Sequence, residues 1–147
     1  MFTKVASIAS LIFIVACSKN SLPDFSKYTL EQETLFEAIQ FPGFDTNKIK
    51  ISRINQQLAV LFAVGPVVGG NILVSVGEDG VLIVDDQYPQ YHEKILKAIN
   101  ELGGDQVNYV INTHWHYDHS EGNRAFGPLG AEIIAHKNSR EFMSRDN

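Results

Sequence analysis

The sequence predicts a layered α/β domain in which a mixed sheet carries helices packed on one face. Strand-like segments come first, and from about residue 91 onward they alternate with segments of helical period. That order suits a mixed sheet with helices laid on it. A length of 147 residues with 44% apolar content suits one domain at most.

The charge balance narrows the partners. A formal net charge of -5 argues against nucleic acid, which calls for a basic face, and the interspersed charges read as an ordinary solvated surface. With a single cysteine no internal disulfide can form.

In chain order, Met1-Phe2-Thr3-Lys4 precedes an apolar run from Val5 to Ala16, then Cys17-Ser18. The run is too short to span a bilayer but has the length of a signal-peptide core. Ile14-Val15-Ala16-Cys17 resembles the bacterial lipobox, in which the cysteine is lipidated and becomes the mature N-terminus. The alternative is an ordinary secretory signal with Cys17 incidental. Residues 1–16 are therefore expected to be a signal peptide of lipoprotein type, and the mature chain to be exported and anchored to a membrane through Cys17. Ser18, rather than an aspartate, after the cysteine resembles Gram-negative lipoproteins of the outer membrane and so favours the periplasm, with the cell surface as the other location. Residues 17–47 then form a lipid-anchored tether and short helix. Lys19–Tyr28 is polar, Thr29-Leu30-Glu31-Gln32 fits a helix start, and Leu35, Phe36 and Ile39 make a short apolar docking stripe.

The domain proper is expected over residues 48–147. Ile49–Asn55 alternates apolar and polar residues, as a half-buried strand does. Leu58–Val64 is nearly continuous in apolar residues, as a strand covered on both faces would be. Asn71–Val76 and Val81–Asp85 flank Gly77-Glu78-Asp79-Gly80, a strong hairpin signal. Gly65-Pro66 and Gly69-Gly70 read as turns. Ile95, Leu96, Ile99 and Leu102 then recur at helical spacing between Tyr91 and Leu102, with Gly103-Gly104 as the stop. Val107–Ile111 and Ala131–Ala135 read as further strands and Asn138–Met143 as the start of a helix.

Thr113-His114-Trp115-His116-Tyr117-Asp118-His119 follows the Val107–Ile111 strand and holds three of the five histidines. A lone histidine is usually surface decoration or a core hydrogen-bonding residue. Packing gives no reason to crowd three imidazoles and a carboxylate, so the cluster reads as a metal site. In extended chain, residues two apart share a side, so His114 and His116 can converge on one cation while Trp115 turns into the packing. Asp118 and His119 can present a second pair of ligands. Imidazole nitrogen suits zinc and other late first-row ions. Two such ions about 3.5–4 Å apart can polarise a carbonyl or phosphoryl oxygen.

Residues 113–119 resemble the T-H-x-H-x-D-H signature of the metallo-beta-lactamase fold hydrolases, and the resemblance runs from about Ile49 to Met143. Gly80-Val81-Leu82-Ile83-Val84-Asp85 is similar to the family strand that ends in an aspartate, Gly122-Asn123 to its turn after the motif, and Ala131–His136 to the strand that follows. The resemblance implies the N-terminal half of an αββα sandwich. It implies two zinc ions in the full-length protein, with His114 and His116 on the first and Asp118 and His119 on the second. Asp85 would orient those ligands from behind, and Asp118 would also move the proton of the attacking water as the catalytic acid–base group. The implied reaction is hydrolysis of an ester, thioester, lactone, amide or phosphoester of a small-molecule substrate by metal-bound hydroxide, with beta-lactams one candidate. His119 beside Asp118 resembles the lactonases, the glyoxalase II-like thioesterases and one beta-lactamase subclass.

Asp86-Gln87 depart from the pattern, since many members carry a small residue and glycine there, so that loop is expected to differ in shape. The resemblance also implies a histidine, a bridging acid and a further histidine from later chain, with no counterpart before Asn147. The sequence therefore reads as the N-terminal part of a longer or truncated protein, weak or inactive until the missing C-terminal half completes the site. His92 and His136 are candidate substitutes only as isolated histidines. Competing functions are a single-iron oxidoreductase of the persulfide dioxygenase kind, with iron as the metal, and a non-enzymatic metal-binding lipoprotein.

Overall fold

A computed structural model describes residues 42–145. The segment read as signal peptide, Cys17 and short helix lies outside them. The described chain forms one six-stranded sheet in sequence order: β1 Lys48–Arg53, β2 Leu58–Val64, β3 Ile72–Gly77, β4 Gly80–Val84, β5 Val107–Asn112 and β6 Glu132–Ala135. The pairs from β1 to β4 are antiparallel; β4–β5 and β5–β6 are parallel. The sheet is thus mixed, and it changes character where helices begin to enter the chain. These are α1 His92–Glu101, α2 Tyr117–Ser120, α3 Asn123–Phe126 and α4 Lys137–Met143, with a 3₁₀ turn at Pro89–Tyr91 ahead of α1.

One face of the sheet carries the core. Alternate residues point there: Ala59 and Leu61 from β2, Ile72 and Val74 from β3, Val81 and Ile83 from β4, and Ile133 from β6, all 3% exposed or less. All but Ala59 join one core cluster with Ile95 and Ile99 of α1 and Phe126 of α3. β2 departs from the reading of a strand covered on both sides, because Leu58, Val60 and Phe62 are only half-buried. Its near-continuous apolar run is an alternating strand whose second face is also apolar. The packing reaches back to Phe44, buried in the same core, and Lys94 on α1 donates to the carbonyls of Phe44 (2.7 Å), Asp45 (3.0 Å) and Asn47 (2.8 Å).

The β4–β5 pairing contains a register shift. Val81 pairs with Val107, but Leu82 pairs with Tyr109, so Asn108 is the extra residue. Its Oδ1 accepts the Val81 N–H at 2.8 Å, which satisfies a donor that the bulge would otherwise strand. The bulge explains why Val107 and Val110, an odd number of residues apart, are both buried. Beyond it the two strands run in phase to Val84 opposite Ile111.

Ile83 sits fully buried on a central strand. Ile83→Ala should cost about 2–5 kcal/mol, as a cavity in a packed core does, while Ile54→Ala, at a residue 60% exposed, should stay within about 0.5 kcal/mol. Urea unfolding of the two variants beside the parent checks this, and equal midpoints would contradict the one-faced core.

Candidate metal centre

The histidine cluster stands at the carboxyl ends of two parallel strands, where open α/β sheets gather ligands. β5 ends at Asn112. Thr113 to His116 is irregular, and Tyr117–Ser120 makes a single helical turn. Asp85 follows β4 directly, and its N–H donates to the Ile111 carbonyl at 2.8 Å. Register alone therefore sets Asp85 beside Thr113.

Asp85 is 5% exposed and its backbone is left-handed, at φ 62°. Its carboxylate accepts from the Thr113 N–H (2.7 Å), from the Thr113 hydroxyl (2.8 Å to Oδ2, 3.0 Å to Oδ1) and from His119 Nδ1 (2.7 Å). A carboxylate only accepts, so His119 carries its proton on Nδ1 and turns a bare Nε2 outward. That Nε2 lies 3.4 Å from Asp118 Oδ2. The His114 ring stands 4.1 Å from the His119 ring and 4.7 Å, edge-on, from the His116 ring. The structure thus brings His114 and His119 together at Asp85, with the His116 ring beside His114 and the Asp118 carboxylate beside His119.

Among the described residues, Asp85, His114 and His119 each offer a ligand atom within 4.8 Å of the others. Asp85's oxygens are already engaged by those donors, so its part is to orient, while the free imidazole nitrogens and the Asp118 carboxylate remain for a cation. Imidazole nitrogen with carboxylate oxygen is a donor set that fits zinc. Trp115 turns aside as expected and stacks on Phe142 of α4, with centroids 5.1 Å apart and planes at 19°, while its other neighbour is the His116 ring at 4.5 Å.

The isolated histidines have structural work. His136 is the N-cap of α4, its Nδ1 accepting the Asn138 N–H at 3.2 Å. His92 Nδ1 donates to the Pro89 carbonyl at 2.7 Å.

Three contributors gave no functional signal in the sequence. Gly69-Gly70 looked like a plain turn, yet a Cβ on Gly70 would lie 2.3 Å from the His119 ring, and one on Gly69 3.3 Å from the Asp118 Cβ. The paired glycines therefore mark a close approach of backbone to side chain. Gly70 is pinned, since its N–H donates to the Asp118 carbonyl at 3.1 Å and its carbonyl accepts from Gln87 Nε2. Tyr91 holds the same loop further back by donating to the Val67 carbonyl at 2.6 Å. Asn112 is the third, donating to the His119 carbonyl at 3.3 Å and accepting from Asn123 at 2.7 Å.

The Asp86-Gln87 departure is absorbed locally. Gln87 lies at φ 56°, the region glycine enters freely, so a non-glycine residue adopts a glycine-like backbone and its side chain ties the loop to Gly70. Asp86 is fully buried against Gly122, where a Cβ would come within 2.4 Å of the Asp86 carbonyl. Burial, and then the neighbouring Asp85 and Glu121 charges, push the Asp86 carboxyl well above the usual range, with the Gly122 and Asn112 amides opposing only in part. The Gly122 N–H is in fact spent on the Gln87 carbonyl at 2.8 Å, and neither Asp86 side-chain oxygen has a hydrogen-bond partner of normal geometry.

The family model described as the Metallo-beta-lactamase superfamily matches residues 65–146, more than half of the chain. A hydroxyacylglutathione hydrolase from Polaromonas sp. strain JS666 is 42% identical over 67 residues, covering 45% of this chain and 24% of that protein. Among solved structures, the metallo-beta-lactamase FIM-1 from Pseudomonas aeruginosa, in its mono-zinc form, superposes with a TM-score of 0.55 at 19% identity over 65% of this chain and 45% of its own. A metallo-beta-lactamase from Hirschia baltica gives 0.56 at 16% identity over 65% and 47%. The chain spans under half the length of each of these three proteins.

Two outcomes follow from this geometry. Gly70→Ala should weaken zinc binding about tenfold or more, as disturbing ligand support does, whereas Gly77→Ala, whose Cβ meets nothing within 4 Å, should not. Chelator competition measures both, and equal affinities would remove the close approach from the site. Asp86 has its folded pKa raised, so its stabilising share is present below the ordinary aspartate range and is lost as pH rises through the folded pKa. Asp86→Asn cannot ionise, so it should flatten that loss and be the more stable protein at neutral pH. Urea midpoints at about pH 3 and pH 8, either side of the usual carboxylate range, should lie closer together in the variant than in the parent. An unchanged pH slope would refute the assignment.

Proposed function

This chain belongs to the metallo-beta-lactamase superfamily, and from that premise we propose that it forms part of a metal-dependent hydrolase. The observation that carries the proposal is the grouping of His114 and His119 at Asp85, past the ends of β4 and β5, with His116 beside His114 and Asp118 beside His119. In this reading the first two histidines hold one zinc ion, and Asp118 and His119 hold a second. When bound, zinc supplies Lewis acidity toward a carbonyl oxygen and toward water.

The chain's own residues supply the rest. Asp85 fixes the direction of the His119 ring before any cation arrives, so less ordering remains to be done on binding. Gly70 allows the loop before β3 to lie against that ring and closes one side of the site. The Asp118 side chain is 37% exposed, open enough to accept a proton from an attacking water at a carboxylate oxygen and return it to the leaving group. The relative named for hydroxyacylglutathione hydrolysis supports a thioester or ester as substrate; a lactone, an amide and a beta-lactam belong to the same carbonyl chemistry.

The test takes the full-length protein with its metal content measured. Parent and Asp118→Asn are assayed side by side on an acyl-glutathione thioester, a lactone and a beta-lactam. The expected result is zinc in the protein, turnover of at least one substrate, and a fall of about 10²–10⁴-fold in the variant, the usual span for a lost general base, with metal binding only partly reduced. Iron with redox turnover would replace hydrolase by oxidoreductase. Zinc without turnover of any carbonyl substrate would leave a metal-binding protein and defeat the proposal.

A further inference from the structure

We infer that Thr113 is a positioning residue that sets the tautomer of His114 by relaying it to Asp85. The Thr113 hydroxyl lies between two groups. On one side is the Asp85 carboxylate, at 2.8 Å from Oδ2 and 3.0 Å from Oδ1. On the other is His114 Nδ1 at 2.9 Å. A hydroxyl has one proton to give and lone pairs to receive. Were that proton turned toward His114, the Thr113 oxygen and a carboxylate oxygen would face each other at 2.8 Å with nothing between them. With the proton directed at the carboxylate, the Thr113 lone pair faces His114 Nδ1, which must then carry a proton of its own. His114 is left with a bare Nε2, the atom able to take a cation.

The consequence is that one carboxylate sets two imidazoles. His119 reaches Asp85 directly at 2.7 Å, and His114 reaches it through Thr113. The Thr113 N–H, at 2.7 Å from Asp85 Oδ1, holds the relay in register, so the hydroxyl does not depend on a free rotor to find its acceptor. Both rings are handed the same tautomer from one point, and each ring keeps a bare Nε2.

The inference rests on the reading of His114 as a metal ligand, but it is tested without any metal. Long-range ¹H–¹⁵N NMR of the imidazoles, on the full chain stripped of metal at about pH 8.5, well above the ordinary histidine pKa, reports which ring nitrogen is protonated. In the parent, His114 and His119 should both be Nδ1–H. Thr113→Val keeps the shape and removes the hydroxyl; there His114 should move to the Nε2–H form while His119 stays Nδ1–H. Thr113→Ser should restore the parent pattern. Chelator competition should then show zinc affinity about 10–100-fold weaker in the valine variant, the range for lost outer support, and parental in the serine variant.

A parent His114 already in the Nε2–H form, a valine variant with an unchanged tautomer, or a serine variant that fails to restore it would each overturn the relay. If the tautomers behave as stated but the protein takes up no zinc, the relay stands and the metal reading of the site falls instead. The parent spectrum decides even if the valine variant does not fold.

Discussion

The site depends on one carboxylate held in an awkward place. Asp85 sits immediately after a buried strand, in a left-handed conformation, and accepts three donors from the loop that follows the next strand. The strain of such a backbone is of order 1–3 kcal/mol, and Gln87 two residues on adds a second left-handed residue. Hydrogen bonds to a charged group contribute about 1.5–3 kcal/mol each, so three of them outweigh the local strain. The loop keeps its shape because the histidine segment holds it there. Remove the donors and the backbone has no reason to stay left-handed.

That dependence runs both ways. The Thr113–Ser120 segment has almost no regular structure of its own; its one helical turn spans four residues, far too short to persist alone. Its order comes from outside: Asp85 beneath it, Gly70 and Gln87 at one side, Asn112 and Asn123 behind, and the Trp115–Phe142 stack at the end of α4. These supports come from several separate parts of the chain. A ring presented from such a segment is held by many neighbours at once, which is how an imidazole is kept ready before a cation arrives.

Much of the fold could be read from residues alone, and the reason is physical. The hairpin between β3 and β4 is marked by Asp79-Gly80, and α1 by apolar residues at helical spacing ended by Gly103-Gly104. Period and turn chemistry are local, so they show in sequence. The short turn at Asn123–Phe126 did not show, because Phe126 is recruited into the core by packing across the sheet. The single-sided burial of β2 was hidden for a similar reason, since an apolar face says nothing of whether a helix covers it. At the site, the cluster residues were visible as a group and Asp85 as their support. The roles of Gly70, Asn112 and the Thr113 hydroxyl were not, because each depends on a distance that exists only once separate loops are folded against one another.

That register has an evolutionary reading. The bulge at Asn108 sets the phase of everything downstream, so a residue gained or lost between Val107 and Thr113 would turn the histidine loop by half a pleat and swing its donors away from Asp85. The exposed Asp105 and Gln106 just before β5 carry no such obligation. Length variation in this lineage should therefore collect before the strand and be purged within it, which makes β5 a ruler for the site.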